Sequence, residues 1–210
     1  MSSSSPFNEK QIQILQVAET LFAERGFDGT SIRKIAKEAK INIAMVSYYF
    51  GSKERLLESL IVFRTKDLKF QIENLSVENL EPIEKINKLI EIYINRINCN
   101  KGIYRILHFE FSDEKRDLDL QALNDLRAGN LKALITIIEE GQNKGVFRKD
   151  IIVPLITPTI LGTFFHFHMN KSYFKNLLQL STDELYNNYI KTKLTKHIQQ
   201  TIKALLIYES

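Results

Sequence analysis

Three helix-capping side chains spaced ten or eleven residues apart constrain this chain more than any other feature: Ser31 (or Thr30 beside it), Asn42 and Ser52. Each can accept a backbone N–H in the first turn of a helix, so the spacing leaves room for two short helices before a third begins. In the first, Ile32, Ile35, Ala36 and Ala39 recur at helical spacing and define one buried face, with Arg33, Lys34 and Lys37 off it. In the second, Ile43 to Phe50, the side chains of Val46, Tyr49 and Phe50 can turn inward. Glu54 stands in the first turn of the third helix, where an N-terminus favours negative charge. Two capped helices joined by a four-residue turn and flanked by lysines form a helix-turn-helix, whose second helix fits the DNA major groove.

The segment GFDGTSIRKIAKEAKINIAMVSYYFGSKERLL, residues 26–57, resembles the DNA-binding domain of the tetracycline-repressor (TetR) family. The resemblance is carried by Gly26-Phe27, Thr30-Ser31, Ile35-Ala36, Ala39, Ile41, Tyr48, Phe50 and Ser52-Lys53-Glu54, followed by Leu56 and Leu57. It implies an all-helical homodimer with an N-terminal DNA reader and a C-terminal domain that senses a small ligand. Departures are also present. Lys40 occupies the usual turn glycine, where a left-handed backbone would cost a lysine up to about 1 kcal/mol relative to glycine. Asn42 replaces the usual serine cap and is at least as good. Ala44, Ser47 and Tyr49 also differ from the common residues; they fall on the reading helix and bear on the target sequence rather than on the mode of binding.

Composition is permissive rather than diagnostic. At 210 residues and 44% apolar the chain can bury a full interior, and a net charge of +4 is mild. The distribution of charge is more telling: residues 30–55 carry six Lys or Arg against two Glu, a local excess of the kind a phosphate-facing patch needs. The single cysteine, Cys99, excludes an intramolecular disulfide and fits a reducing, cytoplasmic setting; with no basic or histidine neighbour in sequence it reads as a buried, inert thiol. The polar start MSSSSPF shows no secretion signal. Residues 151–169 contain no Asp, Glu, Lys or Arg, but two prolines, a glycine, three threonines and two histidines argue against a membrane span. A helix buried between subunits explains that stretch better.

Helical periodicity continues to the end. Ile12, Leu15, Ala18, Leu21 and Phe22 mark a first helix over Gln11–Arg25, ended by Gly26, with Phe27 folding back onto it. A helix from Lys53 to about Leu75 leads into the second domain, and Pro82 opens another through Ile83, Ile86, Ile90, Tyr93 and Ile97. Ile103–Phe111 reads as a short helix and Leu118–Gly141 as a long one, lined by Leu123, Leu126, Leu131, Leu134, Ile135 and Ile138. Ser181–Glu184 reads as a capping box opening a last helix to about Ile207, through Leu185, Tyr189, Leu194, Ile198 and Leu205. No strand pattern emerges. The expectation is an all-α chain: a three-helix DNA-binding domain over residues 1–57 with its motif at about 31–50, and a helical effector-binding and dimerisation domain over 58–210. The wide apolar helices near 153–169 and 182–207 are expected to pair with their copies in a homodimer.

The reading helix, 42–50, contains no Arg or Lys, so it cannot make the bidentate contact to guanine that dominates direct readout. Its base-facing candidates are Ile43, Ala44, Met45, Ser47 and Tyr48, with Asn42 and Tyr49 alongside; the alternative for Met45 is the core. Methyl surface and two hydroxyls lean towards A·T pairs. Phosphate contacts fall to Lys53, to Thr30 and Ser31, and to Arg33, Lys34 and Lys40, although a solvated face fits Arg33 and Lys34 as well. His166 and His168, two apart, point about 200° away from each other on a helix and cannot chelate one ion. No metal site, cofactor or catalytic motif is expected, and enzyme activity is not. For the effector, an apolar or aromatic small molecule, Tyr93, Tyr104, His108, Phe111, Phe165 and His166 are the pocket candidates.

Overall fold

The computed structural model describes residues 6–111 and 121–207, apart from the side chains of residues 105, 108–111 and 122. Among the described residues every regular element is helical, so the chain is all-α. Helices α1 (Glu9–Arg25), α2 (Ile32–Glu38), α3 (Ile43–Phe50) and α4 (Lys53–Val77) come first. They are followed by α5 (Pro82–Cys99), α6 (Lys101–Phe111) and α7 (Gln121–Asn143). A 3-10 turn (Val153–Leu155), α8 (Ile156–Met169) and α9 (Lys171–Leu177) lead to α10 (Asp183–Tyr189), a π-helical turn (Ile190–Leu194) and α11 (Thr195–Leu206). The described residues divide into two compact units: Met1–Asp67 with Cys99–Arg127, and Leu68–Asn98 with Ala128–Ser210. Helices α4 and α7 each begin in the first unit and end in the second.

The start signals act where local chemistry places them. Asn8 and Gln11 form a reciprocal capping box on α1, each side chain accepting the other's backbone N–H at 3.0 Å. Ser31 caps α2 through the Lys34 N–H (3.2 Å), Asn42 caps α3 through the Ala44 N–H (2.9 Å), and Ser52 accepts the Arg55 N–H (3.2 Å) in α4. The turn between α2 and α3 is a Schellman motif. The Ile41 N–H reaches the Ala36 carbonyl (3.0 Å) and the Lys40 N–H that of Lys37 (3.1 Å), with Lys40 at φ +54°. Lysine therefore holds the left-handed position that glycine fills most easily. The α1 helix reinforces this turn, the Gln13 carboxamide donating to the Ala39 carbonyl at 3.0 Å.

The first unit buries one apolar cluster: Ile14, Leu15, Ala18 and Phe22 of α1, Ile35 of α2, Val46 and Phe50 of α3, Leu56, Leu57, Leu60 and Ile61 of α4, and Ile103 and Ile106 of α6. Each fully buried Leu or Ile contributes roughly 1.5–3 kcal/mol relative to an exposed one. Glu19 of α1 lies among them. Its carboxylate accepts from the Arg64 guanidinium (Nε, 2.8 Å) and from the Ile103 N–H at the start of α6 (3.2 Å).

In the second unit the stripe on α10–α11 differs from expectation. Leu185 and Leu205 are 46% exposed, and the buried positions are Tyr186, Ile190, Leu194, Ile198, Ile202 and Leu206. A strict four-residue step overshoots each turn of 3.6 residues, which would carry the stripe about 200° round the helix over five steps. The π turn at Ile190–Leu194 takes back part of that drift, and the Thr195 hydroxyl donates to the Ile190 carbonyl five residues back at 2.8 Å. The expected capping box is also corrected. Thr182, not Ser181, is the N-cap, accepting the Leu185 N–H at 3.1 Å, so Glu184 sits one place too early to reciprocate. On α7, Ile137 is buried where Ile135 was expected. The α9 helix has no counterpart in the sequence reading, the first residues expected in α7 (118–120) lie outside the described set, and Cys99 is exposed rather than buried. No helix among the described residues is long and apolar enough to cross a membrane.

The Lys85 side chain, at the foot of α5, is buried and donates to the Ser76 carbonyl (3.0 Å) and to Glu140 of α7 (2.7 Å). Lys85 first, then Lys144, holds the Glu140 carboxyl below the usual carboxylate range. Its contribution to stability is therefore present above the unfolded carboxylate pKa and fades as pH falls through the lower folded value. Glu140→Gln, which leaves the Lys85 ammonium without its counter-charge, is expected to cost about 1–3 kcal/mol at pH 7. Urea unfolding should show that loss shrinking steadily on acidification below pH 4.5. Lys40→Gly relieves the left-handed lysine and should raise stability by up to about 1 kcal/mol in the same assay.

Candidate nucleic-acid interface

The exposed face of α3 follows from what the helix buries. With Val46 and Phe50 in the core, helical geometry turns Ile43, Ala44, Ser47 and Tyr48 outward. All four are exposed, Ile43 at 44% and Tyr48 at 84%. Ile43 and Tyr48 thus stand in water rather than in the core, beside the small side chains of Ala44 and Ser47. Asn42 is exposed but commits its carboxamide oxygen to the cap. Met45 is half-buried, and Tyr49 packs against the core with its ring 5.4 Å from Tyr48 and 6.4 Å from Phe50. The helix offers methyl groups, a hydroxyl and a phenol, and no positive charge.

Positive charge lies on the flanking elements instead, on α2, the turn after it and the start of α4. Arg33, Lys37, Lys40 and Arg55 are exposed and Lys34 is half-buried. Arg55 was not among the contact residues expected from sequence, although the Ser52 cap places it in the first turn of α4. It lies beside the end of α3: a Cβ on Gly51 would stand 3.8 Å from its Nη1. Glu54, in the same turn, is kept below its usual pKa by its own backbone N–H and by the Ser52 hydroxyl, so it stays ionised as the helix-start anion.

Two residues expected at phosphates are engaged within the protein. Thr30 is 1% exposed, and its hydroxyl is shared between the carbonyls of Gly26 (2.9 Å) and Leu21 (3.1 Å). Its N–H is taken by Phe27 at 3.2 Å, so Thr30 shapes the loop ahead of α2 from inside. The Lys53 ammonium donates to the carbonyls of Phe27 (2.9 Å) and Thr30 (3.1 Å) and sits 4.2 Å from the centre of the Phe27 ring. This ties the first turn of α4 to the 26–30 loop and fixes a positive charge at that loop, with one ammonium N–H left over. Ser31 is exposed beside it.

The side chains of four of the six effector-pocket candidates are among the described residues. Tyr93 is buried in α5, Tyr104 is half-buried in α6, and Phe165 is half-buried and His166 exposed on α8; the side chains of His108 and Phe111 lie outside the described residues. Of these, His166 alone lines a cavity of about 520 Å³ formed by α8, α9 and the α10–α11 segment. Among the described residues no group of three His, Cys, Asp or Glu could hold a metal ion.

Comparison with known proteins agrees with this geometry along the chain. Residues 14–60 match the family of bacterial regulatory proteins, tetR family, and residues 82–202 match the tetracyclin repressor-like C-terminal domain. The HTH-type transcriptional repressor NicS of Pseudomonas putida is 29% identical over 167 residues, 75% of each chain. The fatty acid metabolism regulator protein of Bacillus subtilis is 26% identical over 154 residues, 73% of this chain and 79% of the relative. The crystal structure of FadR from Bacillus subtilis in complex with stearoyl-CoA shares the fold with a TM-score of 0.74 at 22% identity, covering 92% of this chain and 97% of that one. With a helix-turn-helix whose second helix is exposed, and with both halves matched, the chain belongs to the TetR family of DNA-binding transcriptional regulators.

Proposed function

We propose that this protein is a repressor that binds a pseudo-palindromic operator as a homodimer and is released by a small-molecule effector. The observation that carries the reading is the α3 face: Ile43, Ala44, Ser47 and Tyr48 held outward by a buried core, with Arg33, Lys37, Lys40 and Arg55 exposed on the flanking elements. In this reading residues 1–57 read DNA and 58–210 bind the effector and dimerise, and the protein acts in the cytoplasm without catalysis. Cations position the backbone and α3 supplies the base contacts. Two copies would set their α3 helices in successive major grooves, about 34–36 Å apart. The phosphate contacts are Ser31, Arg33, Lys34, Lys40, Arg55 and the remaining N–H of Lys53, with Thr30 acting through the loop it shapes. The α8 and α10–α11 helices form the dimer face. FadR of Bacillus subtilis was crystallised with stearoyl-CoA; in our reading this chain takes its effector in the C-terminal half, and the effector binds the DNA-incompetent arrangement more tightly.

The test is affinity capture of sheared genomic DNA on the purified protein at near-physiological salt, followed by sequencing. A short palindrome should be enriched, with mostly A·T pairs at the positions α3 contacts. Failure to enrich any sequence, also at lower salt, would overturn the regulator reading; a G·C-rich contacted core would overturn the readout alone. On the enriched site, Tyr48→Ala should lower affinity about ten-fold with no change in non-specific binding. Lys53→Ala should weaken binding to all sequences alike and reduce the slope of log K against log salt by about one. Because the same ammonium secures the 26–30 loop, its thermal midpoint should also fall.

A further inference from the structure

We infer that the dimer face extends from α8 over α9, where the apolar edge of Met169, Tyr173 and Leu177 packs against a second copy of this chain. The inference rests on the proposed homodimer and names the surface that makes it stable. Leu161, Phe165, Met169, Tyr173 and Leu177 recur every four positions, the first three on α8 and the last two on α9. Between the helices the Asn170 N–H donates to the His166 carbonyl (3.2 Å) and the Phe174 N–H to the Asn170 carbonyl (3.0 Å), so the line passes the junction on a hydrogen-bonded backbone. The opposite side of α9 is anchored, Phe174 stacking on buried Phe167 with 4.5 Å between ring centres. Leu161 and Phe165 are half-buried, whereas Met169, Tyr173 and Leu177 stand 55%, 61% and 59% exposed.

The occupant follows from what the rest of the face lacks. A stable interface takes about 800 Å² from each partner, with aromatic residues and Met enriched at its core. Ahead of Met169 the exposed positions of α8 are Pro158, Gly162 and His166. Those of α11 carry lysine, histidine, glutamine, threonine and alanine, with Leu205 as their one large apolar side chain. A core for the dimer therefore has to come from the α9 end. Gly162 points the same way. A Cβ there meets nothing within 4 Å, so the protomer gives no reason for a mid-helix glycine, which is destabilising relative to alanine. Close approach of another chain supplies one. A two-fold axis across the line sets it antiparallel to its copy, and the small end at Pro158 and Gly162 then receives the partner's Tyr173 and the partner's Leu177. Each large end meets a small one, as an interface of identical patches requires. Charge does not oppose the contact, because Lys171 and Lys175 beside the line are both paired with Asp183 at 2.9 Å.

The experiment is sedimentation velocity of the full-length protein over a dilution series, which gives the monomer–dimer Kd without DNA or effector. Tyr173→Ser with Leu177→Ser should raise that Kd about 100-fold, the scale of two large side chains left unburied. Gly162→Leu, which the open space around it admits in the monomer, should raise it at least about ten-fold while far-UV circular dichroism keeps full helicity. Val77→Ser, on α4 and 80% exposed, should leave it within about two-fold. A wild type that dimerises with a Kd indifferent to the α9 pair or to Gly162→Leu would overturn the inference and leave the homodimer standing. An equal rise in Val77→Ser would overturn it too, as a loss not tied to this line. A wild type that is monomeric at every concentration would remove the homodimer itself, and the inference with it.

Discussion

The carboxylate of Glu19 is the group around which the N-terminal unit is assembled. A buried charge is tolerated only when paired and hydrogen-bonded, so its partners are not free to vary. One is the Arg64 guanidinium on α4 and the other the first turn of α6, whose N–H groups favour an anion. The approach is close enough that the helix needs glycine there: a Cβ on Gly102 would meet Glu19 Oε1 at 3.2 Å and Cγ at 3.3 Å. Three helices are thereby fixed about one side chain of α1, the helix that also props the α2–α3 turn through Gln13. A shift of α6 cannot leave α1 untouched without breaking a charge pair in a largely dry setting.

Seen from that centre, what was legible in the sequence was what is local. Ser31, Asn42 and Ser52 act within their own first turns, and the strain at Lys40 is a property of one residue's backbone. Val46 and Phe50 followed from the helical period, as did the outward face of α3. Partners 23 to 84 residues away left no such trace. Nothing local to Glu19 points to its partners, Arg64, 45 positions on, and Ile103, 84 positions on. Thr30 and Lys53 were placed at the surface by type and motif, yet the fold turns one inward and ties the other to carbonyls 23 and 26 residues back. Tertiary contact overrode residue type in each case.

The last helical segment shows the opposite failure, in which the information was local and the reading assumed too simple a geometry. Tyr186, Ile190, Leu194, Ile198, Ile202 and Leu206 repeat every four residues, which no straight α-helix can keep on one face. Taking 3.6 as fixed selected Leu185 and Leu205 instead, and both are exposed. A sustained four-residue period is itself the signal for a wider turn. It marks where the helix departs from ideality, and here that turn lies along the wall of a cavity lined by Tyr189, Lys193 and His197.

The α3 helix raises a question of energy rather than geometry. A reader without Arg or Lys in its groove-facing helix has to obtain affinity and specificity from different parts. In the proposed reading the exposed cations of the flanking elements supply affinity by releasing counterions, which is sequence-blind and declines steeply with salt. Discrimination then rests on methyl and hydroxyl contacts and on DNA shape, each wrong base pair costing about 1–3 kcal/mol. Raising that positive charge would strengthen binding to every sequence alike and leave that difference unchanged. Separating the two roles would also suit the proposed release from a two-half-site operator: a small change in half-site spacing misplaces short-range contacts of α3 long before it weakens the long-range pull of the lysines.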